Sequence, residues 1–262
     1  MTARRTALIT GASSGFGELF ADRLAADGFD VVLVARSGDA MEAIAERIRS
    51  RSEVTATVVP HDLAVPGAVA SLMGTLADRQ VQVDALVNNA GFSTYGPFAE
   101  SDPGVTTSML MVNVVAMSEL ALVCLPSMIE RRWGRILLLG SVGSFSAAPM
   151  TAAYAATKAY VLSLGLALHE ELRGTGVTVT TLCPGPTATG FQARAGMAES
   201  ALVRSGLDSA EAVVDAGYAA MKRGTPYLVT GTTSRLFAMG SRFLPRTMAA
   251  RIAANAQRRI ES

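Results

Sequence analysis

This 262-residue chain predicts an α/β fold: a doubly wound, seven-stranded parallel sheet with helices on both faces. Two patterns carry that reading. Short β-branched runs alternate with longer amphipathic stretches, as βαβ units require. The first of those runs also breaks into a glycine-rich turn that passes at once into a helical pattern. In order, Ala7–Thr10, Val31–Ala35, Thr55–Val59, Ala85–Asn88, Ile136–Gly140, Val177–Cys183 and Tyr227–Thr230 read as strands buried on both faces. Between them, Phe16–Asp27, Asp39–Arg51, Pro66–Arg79, Thr106–Arg131 and Ala153–Arg173 read as helices. Gly28 and Gly176 fall where left-handed helix ends are wanted. From about 187 to 225 the rhythm breaks, with Gly190, Gly196 and Gly206 and weak helical stretches, which reads as a substrate lid.

Half the residues are hydrophobic and 17% are charged, enough apolar mass for a large core. No linker, charge block or 20–50-residue repeat divides the chain, so one domain over 1–262 is expected. Net charge is +1, which gives a nucleic-acid partner no support. The distribution is uneven: residues 232–262 form a basic amphipathic extension, and 235–262 hold six Arg against one Glu. Cys124 and Cys183 lie in apolar surroundings and read as buried, reduced thiols. With His61 and His169 the only histidines, neither a metal cluster nor a Ser-His triad is expected. The first residues lack an apolar signal core, and no window of 18 uninterrupted apolar residues occurs. A cytoplasmic protein with no spanning helix is the expectation.

The turn Gly11-Ala12-Ser13-Ser14-Gly15-Phe16-Gly17 joins the first strand to the first helix. Gly11 permits the tight bend, Gly15 lets backbone approach a pyrophosphate, and Gly17 lets helix and strand pack closely. No Lys-Ser/Thr pair follows the glycines, which excludes a phosphate-loop NTPase. Where a ribose-binding carboxylate would be expected after the second strand, the chain has Arg36, then Ser37. A guanidinium there suits a 2′-phosphate, so NADP(H) is favoured over NAD(H).

Tyr154 and Lys158 lie four apart on an apolar helical stretch and so share a face. For tyrosine to act as a base near neutrality its pKa must fall by about 3, roughly 4 kcal/mol. A neighbouring ammonium would supply much of that fall. The chain uses 21 Arg but only two Lys, so Lys158 marks a place that needs a compact ammonium.

Together these motifs resemble the short-chain dehydrogenase/reductase family over residues 5 to about 231. The family's glycine pattern falls on Thr10, Gly11, Gly15 and Gly17, and its Asn-Asn-Ala-Gly on Asn88, Asn89, Ala90 and Gly91. Its aspartate facing the adenine falls on Asp62, followed by Leu63, and its Pro-Gly turn on Pro184 and Gly185. The resemblance implies a Rossmann-type fold and four catalytic positions: Asn113, Ser141, Tyr154 and Lys158. Ser141 would hold the substrate oxygen, and Tyr154 would give or take its proton. Lys158 would lower the Tyr154 pKa and bind the nicotinamide ribose, while Asn113 would kink its helix and hold a water in a proton relay. Thr187 and Thr189 follow the Pro-Gly turn; Thr189 fits a nicotinamide contact, whereas Thr187 replaces the family's aliphatic residue.

The implied activity is NADP(H)-dependent interconversion of a carbonyl and a secondary alcohol. Phe92, Tyr95, Phe98, Phe145, Met150, Phe191 and Met197 would line the pocket mouth, implying an apolar ketone, 3-oxoacyl or steroid-like substrate. A non-catalytic NADP(H)-binding regulator of the same fold is the alternative, against which the intact tyrosine stands. The helices of 106–131 and 153–173 would form a homodimer or homotetramer interface, by analogy. Arginines interleaved with Leu236, Phe237, Met239, Phe243, Leu244, Met248 and Ile252 would either face water or touch anionic lipid weakly.

Overall fold

The computed structural model describes residues 4–197 and 207–257. Seven strands form one all-parallel sheet in the order β3-β2-β1-β4-β5-β6-β7. They are β1 Thr6–Thr10, β2 Asp30–Ala35, β3 Ala56–Pro60, β4 Val83–Asn88, β5 Gly134–Leu139, β6 Val177–Cys183 and β7 Tyr227–Val229. The chain runs outward from β1 to β3, returns, and continues from β4 to β7. That reversal beside β1 opens a crevice at the carboxyl ends of the strands, where such sheets place their ligands.

Alternate side chains of each strand serve opposite faces, which is why the strand sequences are apolar throughout. Ala7, Ile9, Val31 and Leu33 pack under α1 (Gly15–Ala26) and α2 (Gly38–Arg51). Leu8, Val32, Val34 and Leu86 pack under α3 (Ala68–Asp78) and the helices that follow β4 and β5. The latter are α4 (Pro103–Leu110), a π segment Met111–Ala116, α5 (Met117–Glu130) and α6 (Ala152–Glu171).

The helix start expected at Thr106 lies instead at Pro103. Asp102 caps it, accepting the Val105 N–H at 2.7 Å, and proline takes the first helical position, where its missing donor costs nothing. From Pro103 to Glu130 the helix is continuous, 28 residues, and long and apolar enough to cross a membrane by length and composition. Here one side of it lies on the sheet, through Met117, Leu120, Cys124 and Met128. Gly28 ends α1 with φ +84°, while Gly176 (φ +89°) sits at the entry to β6, its Cα against the Arg132 carbonyl.

The lid expected over 187–225 is corrected by the structure. Residues 210–223 form α8 (Ala210–Arg223), started by the Ser209 cap, with Val213, Val214, Tyr218 and Met221 buried against α1 and the sheet. Parallel β6 and β7 need a crossover, and α8 supplies it. The excursion that remains leaves the sheet at Thr187 and returns at Asp208, where the two form a parallel bridge. Among the described residues it carries one short turn of helix, α7 (Phe191–Arg194); residues 198–206, with Gly206, lie outside the described residues. After β7 the basic extension folds into α9 (Thr232–Gly240) and α10 (Arg246–Gln257). Arg258 and Arg259 lie outside the described residues.

Candidate active site

Gly11 (φ +65°) and Gly15 (φ +60°) hold the β1–α1 turn in left-handed backbone that other residues resist. The turn is clamped from β4. Thr10 Oγ1 accepts the Asn89 and Ala90 N–H groups at 3.0 and 2.9 Å, and Asn89 Nδ2 donates to the Thr10 and Gly11 carbonyls. Asn88 Nδ2 donates to the Met117 carbonyl at 2.8 Å, tying β4 to α5. Gly17 packs behind the turn, where a Cβ would come within 2.2 Å of the Gly11 carbonyl oxygen.

A cavity of about 1450 Å³ runs from this turn along the carboxyl ends of the strands to α10. Every residue expected at the cofactor or the reacting atoms lines it except Gly17 and Asn113. At one end, Arg36 is exposed and meets no carboxylate among the described residues, with Ser37 beside it. Asp62 Oδ1 accepts the Ala64 N–H at 2.9 Å, and Leu63 is buried next to it. Thr189 stands opposite Gly15, its Cβ 3.3 Å from where a glycine Cβ would be. Thr187 is buried, with Oγ1 donating to the Gly185 carbonyl at 2.9 Å. Ser14 precedes α1 in extended backbone with no side-chain cap, so the first-turn N–H groups are left for another acceptor.

Midway along the cavity lie Ser141, Tyr154 and Lys158. Ser141 follows β5 and is fixed by a two-way capping arrangement. Its Oγ accepts the Gly143 N–H at 3.1 Å while Ser144 Oγ accepts the Ser141 N–H at 3.2 Å. The Ser141 hydroxyl lies near enough to the Tyr154 phenol to favour its ionised form. Lys158, one turn along α6, is 2% exposed; its Nζ donates to the Leu139 carbonyl at 2.7 Å and lies 5.7 Å from the Tyr154 ring centre. Asn113 sits in the π segment, wholly buried. Its Oδ1 accepts the Phe92 N–H at 3.1 Å, and its Nδ2 donates to the Phe92 carbonyl and to Thr157 Oγ1. In this structure its side chain is a clamp between the 91–92 loop and α6.

One electrostatic expectation fails in the protein alone. Burial pushes the Tyr154 phenol up to about 12, opposed by the nearby Ser141 hydroxyl, and Lys158 does not bring it down. Burial likewise lowers Lys158 to about 8, because a desolvated ammonium loses its hydration. Tyr154 is thus held as the protonated phenol at neutral pH. Cys183, buried beside these groups on β6, is pushed up to about 12 and stays a thiol.

Of the expected mouth residues, Phe92, Phe191 and Met197 line the cavity. Phe191 covers Tyr154, with ring centres 5.6 Å apart. The other four do not line it. Phe145 packs on Tyr227, Phe98 points to solvent, and the Met150 carbonyl accepts the Gly96 N–H. Tyr95 donates its hydroxyl to the Gln257 carbonyl, fastening α10. Sequence reasoning missed the far wall, built by Phe237 of α9 and by Ile252, Ala253 and Gln257 of α10.

Comparison with known proteins agrees with this geometry. The family model for short chain dehydrogenase matches residues 5–200. A ketoacyl reductase of Nostoc sp., HetN, is 30% identical over 229 residues, covering 86% of this chain and 78% of that one. Among solved structures, a short-chain dehydrogenase from Sphingobium yanoikuyae in complex with NADPH is 33% identical, with a TM-score of 0.80 over 91% of this chain and 94% of that one. A bulky-bulky ketone specific alcohol dehydrogenase from Comamonas testosteroni is 28% identical, with a TM-score of 0.78 over 92% and 93% of the two chains. The seven-stranded parallel sheet, the clamped glycine turn and these likenesses together place the chain in the short-chain dehydrogenase family of oxidoreductases.

Proposed function

We propose that the protein is an NADP(H)-dependent reductase of an apolar carbonyl compound, with Tyr154 as the acid/base. The observation that carries this is the convergence of Ser141, Tyr154 and Lys158 between a phosphate-binding end and an apolar end of one cavity. The uncapped start of α1, with Gly11 and Gly15 below it, suits a pyrophosphate, and unpaired Arg36 suits a 2′-phosphate. The Sphingobium relative's NADPH complex supports the same choice.

When bound, the nicotinamide cofactor supplies or takes up the hydride, and its oxidised ring brings positive charge to the site. Ser141 holds the substrate oxygen through its hydroxyl and keeps it beside Tyr154. Tyr154 donates its phenolic proton to that oxygen as the carbonyl carbon is reduced; the protonated phenol that burial enforces is the form reduction needs. Lys158, anchored on the Leu139 carbonyl beside Tyr154, would hold the cofactor's ribose hydroxyls with its ammonium. Asn113 holds the 91–92 loop against α6 so that these groups keep their spacing. Phe92, Phe191, Met197, Phe237 and Ile252 make the substrate end apolar, and the ketone-specific and ketoacyl-reducing relatives support that class.

The test is oxidation of NADPH and of NADH across aliphatic, steroid and 3-oxoacyl ketones, with Tyr154→Phe as control. Faster turnover with NADPH and loss of activity in the variant are expected. Full activity in Tyr154→Phe would remove the mechanism.

We also infer that two copies associate through α4–α5 and α6. Leu110, Leu122, Val123 and Ile129 are exposed there, and Ser118 Oγ bonds the Tyr160 hydroxyl across the two helices at 2.8 Å. Concentration-dependent mass by sedimentation velocity checks this; a monomer at all concentrations removes it.

A further inference from the structure

The last part of the chain has an unusual charge pattern that the reaction does not use. From Ala216 to Ile260 there is no Asp or Glu, yet the segment carries Lys222 and seven arginines. Within α9, the 241–245 turn and α10, Arg235, Arg242, Arg246 and Arg251 are all exposed. None pairs with a carboxylate among the described residues. Arg235 Nε donates to the Val229 carbonyl, and Arg242 donates to the Tyr227 hydroxyl.

Large apolar side chains stand among those arginines. Phe243 is 87% exposed, Leu236 66%, Met239 64% and Met248 50%. Their spacing is helical: Leu236 and Met239 lie three apart, and Met248 and Ile252 four apart. Apart from Gln257 at the end of α10, the buried positions of the same helices are the small residues Ser234 and Ala238, and Ala249 and Ala253. The helices therefore pack inward mainly through small residues, with Phe237 on the cavity, and turn Leu236, Met239 and Met248 outward. Water gives those residues nothing, and exposed apolar side chains clustered on adjacent helices suit an apolar partner.

The charges decide between partners. A second copy using the same face would set four unpaired arginines against four, with no carboxylate to meet them. A nucleic acid would satisfy the arginines and leave Phe243, Leu236 and Met239 in water. An anionic bilayer satisfies both, offering phosphates to the arginines and an acyl boundary to the apolar tips. We propose that α9, the 241–245 turn and α10 form a docking surface for an anionic lipid membrane. In it, Leu236, Met239, Phe243 and Met248 enter the headgroup–acyl boundary while Arg235, Arg242, Arg246 and Arg251 meet lipid phosphates. Ile252 is exposed and also lines the cavity, so the cavity mouth opens on this face. Read with the proposed function, on which this clause rests, a lipid-soluble carbonyl compound would enter from the bilayer.

The experiment is co-sedimentation of the full chain with extruded vesicles of phosphatidylcholine alone and of phosphatidylcholine with phosphatidylglycerol. Pelleting only with the anionic vesicles, weakening as salt is added, is expected. Arg246→Gln with Arg251→Gln should lower partitioning about 30-fold. Leu236→Ser with Phe243→Ser should abolish it. None of these four lines the cavity, and unchanged thermal midpoints show that the variants fold. Pelleting that ignores anionic lipid, or that both double variants retain, overturns the proposal. So does a dimer in solution that the Leu236→Ser, Phe243→Ser variant loses without any vesicle binding by the parent, since a second copy would then cover the face. Vesicle binding with no ketone reduction would strike the proposed function and leave the docking surface standing.

Discussion

Gly165 lies on the face of α6 that crosses β6, and a Cβ there would stand 2.0 Å from Thr181 Oγ1 and 3.4 Å from Leu138 Cδ1. Real Cβ contacts below 3.0 Å essentially do not occur, so Gly165→Ala must move the helix or the strand by about 1 Å. Overpacking of that kind costs about 3 kcal/mol. The better helix propensity of alanine returns about 1, leaving a net loss of about 2 kcal/mol. For a chain of this size that is about 4–8 °C in Tm. The same helix carries Tyr154 and Lys158, and a displacement of about 1 Å at reacting groups lowers kcat by up to about 100-fold. The Thr181 hydroxyl is buried without a hydrogen-bond partner, so Thr181→Ala alone removes little of value. In the double variant the alanine methyl occupies the space that Oγ1 leaves, and both Tm and kcat should return close to the parent. Urea unfolding and steady-state kinetics of the four proteins measure the coupling directly. A Gly165→Ala protein as stable and active as the parent, or one that Thr181→Ala fails to rescue, would refute the reasoning.

Arg36→Leu should lower kcat/KM for NADPH about 5- to 30-fold, a charge-assisted hydrogen bond discounted for the exposure of this side chain, and leave NADH nearly unchanged; equal losses with both cofactors would sink the 2′-phosphate assignment. Phe191→Ala removes the ring that covers Tyr154, so the phenol should fall from about 12 toward its ordinary value of 10 and the alkaline limb of the pH–rate profile should move to lower pH; an unmoved limb would show that the ring does not control that burial. Lys158 is lowered from 10.5 to about 8 in the fold, so its contribution to stability rises between those pH values and is lost as pH falls through about 8. Denaturant midpoints of the parent minus those of Lys158→Met should grow across that window, and a flat difference would contradict the burial argument.

Much of the fold was legible because the sheet is parallel and covered on both sides, which writes each strand as an unbroken apolar run. The glycine turn was equally plain, since Gly11 and Gly15 meet a steric demand no other residue fills. Asp102-Pro103 is a readable helix start, but Gly104 behind it weakens the local helical pattern. The crossover α8 was hidden among glycines, although two neighbouring parallel strands demand a helix between them. What local sequence could not show was enclosure. The burial that raises the Tyr154 pKa is tertiary, with Phe191 packed on its ring from 37 residues away in the chain. The far wall of the cavity depends on α10, held by Tyr95 across 162 residues. A residue pair four apart can predict a shared face, but not how dry that face will be.

The origin of the two cavity walls has a consequence for inheritance. The glycine turn, Arg36 and the Ser141, Tyr154 and Lys158 group all precede Gly190, within the 5–200 stretch shared across the family. Phe237, Ile252, Ala253 and Gln257 lie after that stretch, on helices joined to the sheet by a short turn past β7. The cavity wall is therefore of mixed origin: Phe92, Phe191 and Met197 come from the stretch that carries Ser141, Tyr154 and Lys158, and the rest is encoded downstream of it. Exchange of residues 232–262 between relatives would change that downstream wall and leave the glycine turn, Ser141, Tyr154 and Lys158 in place.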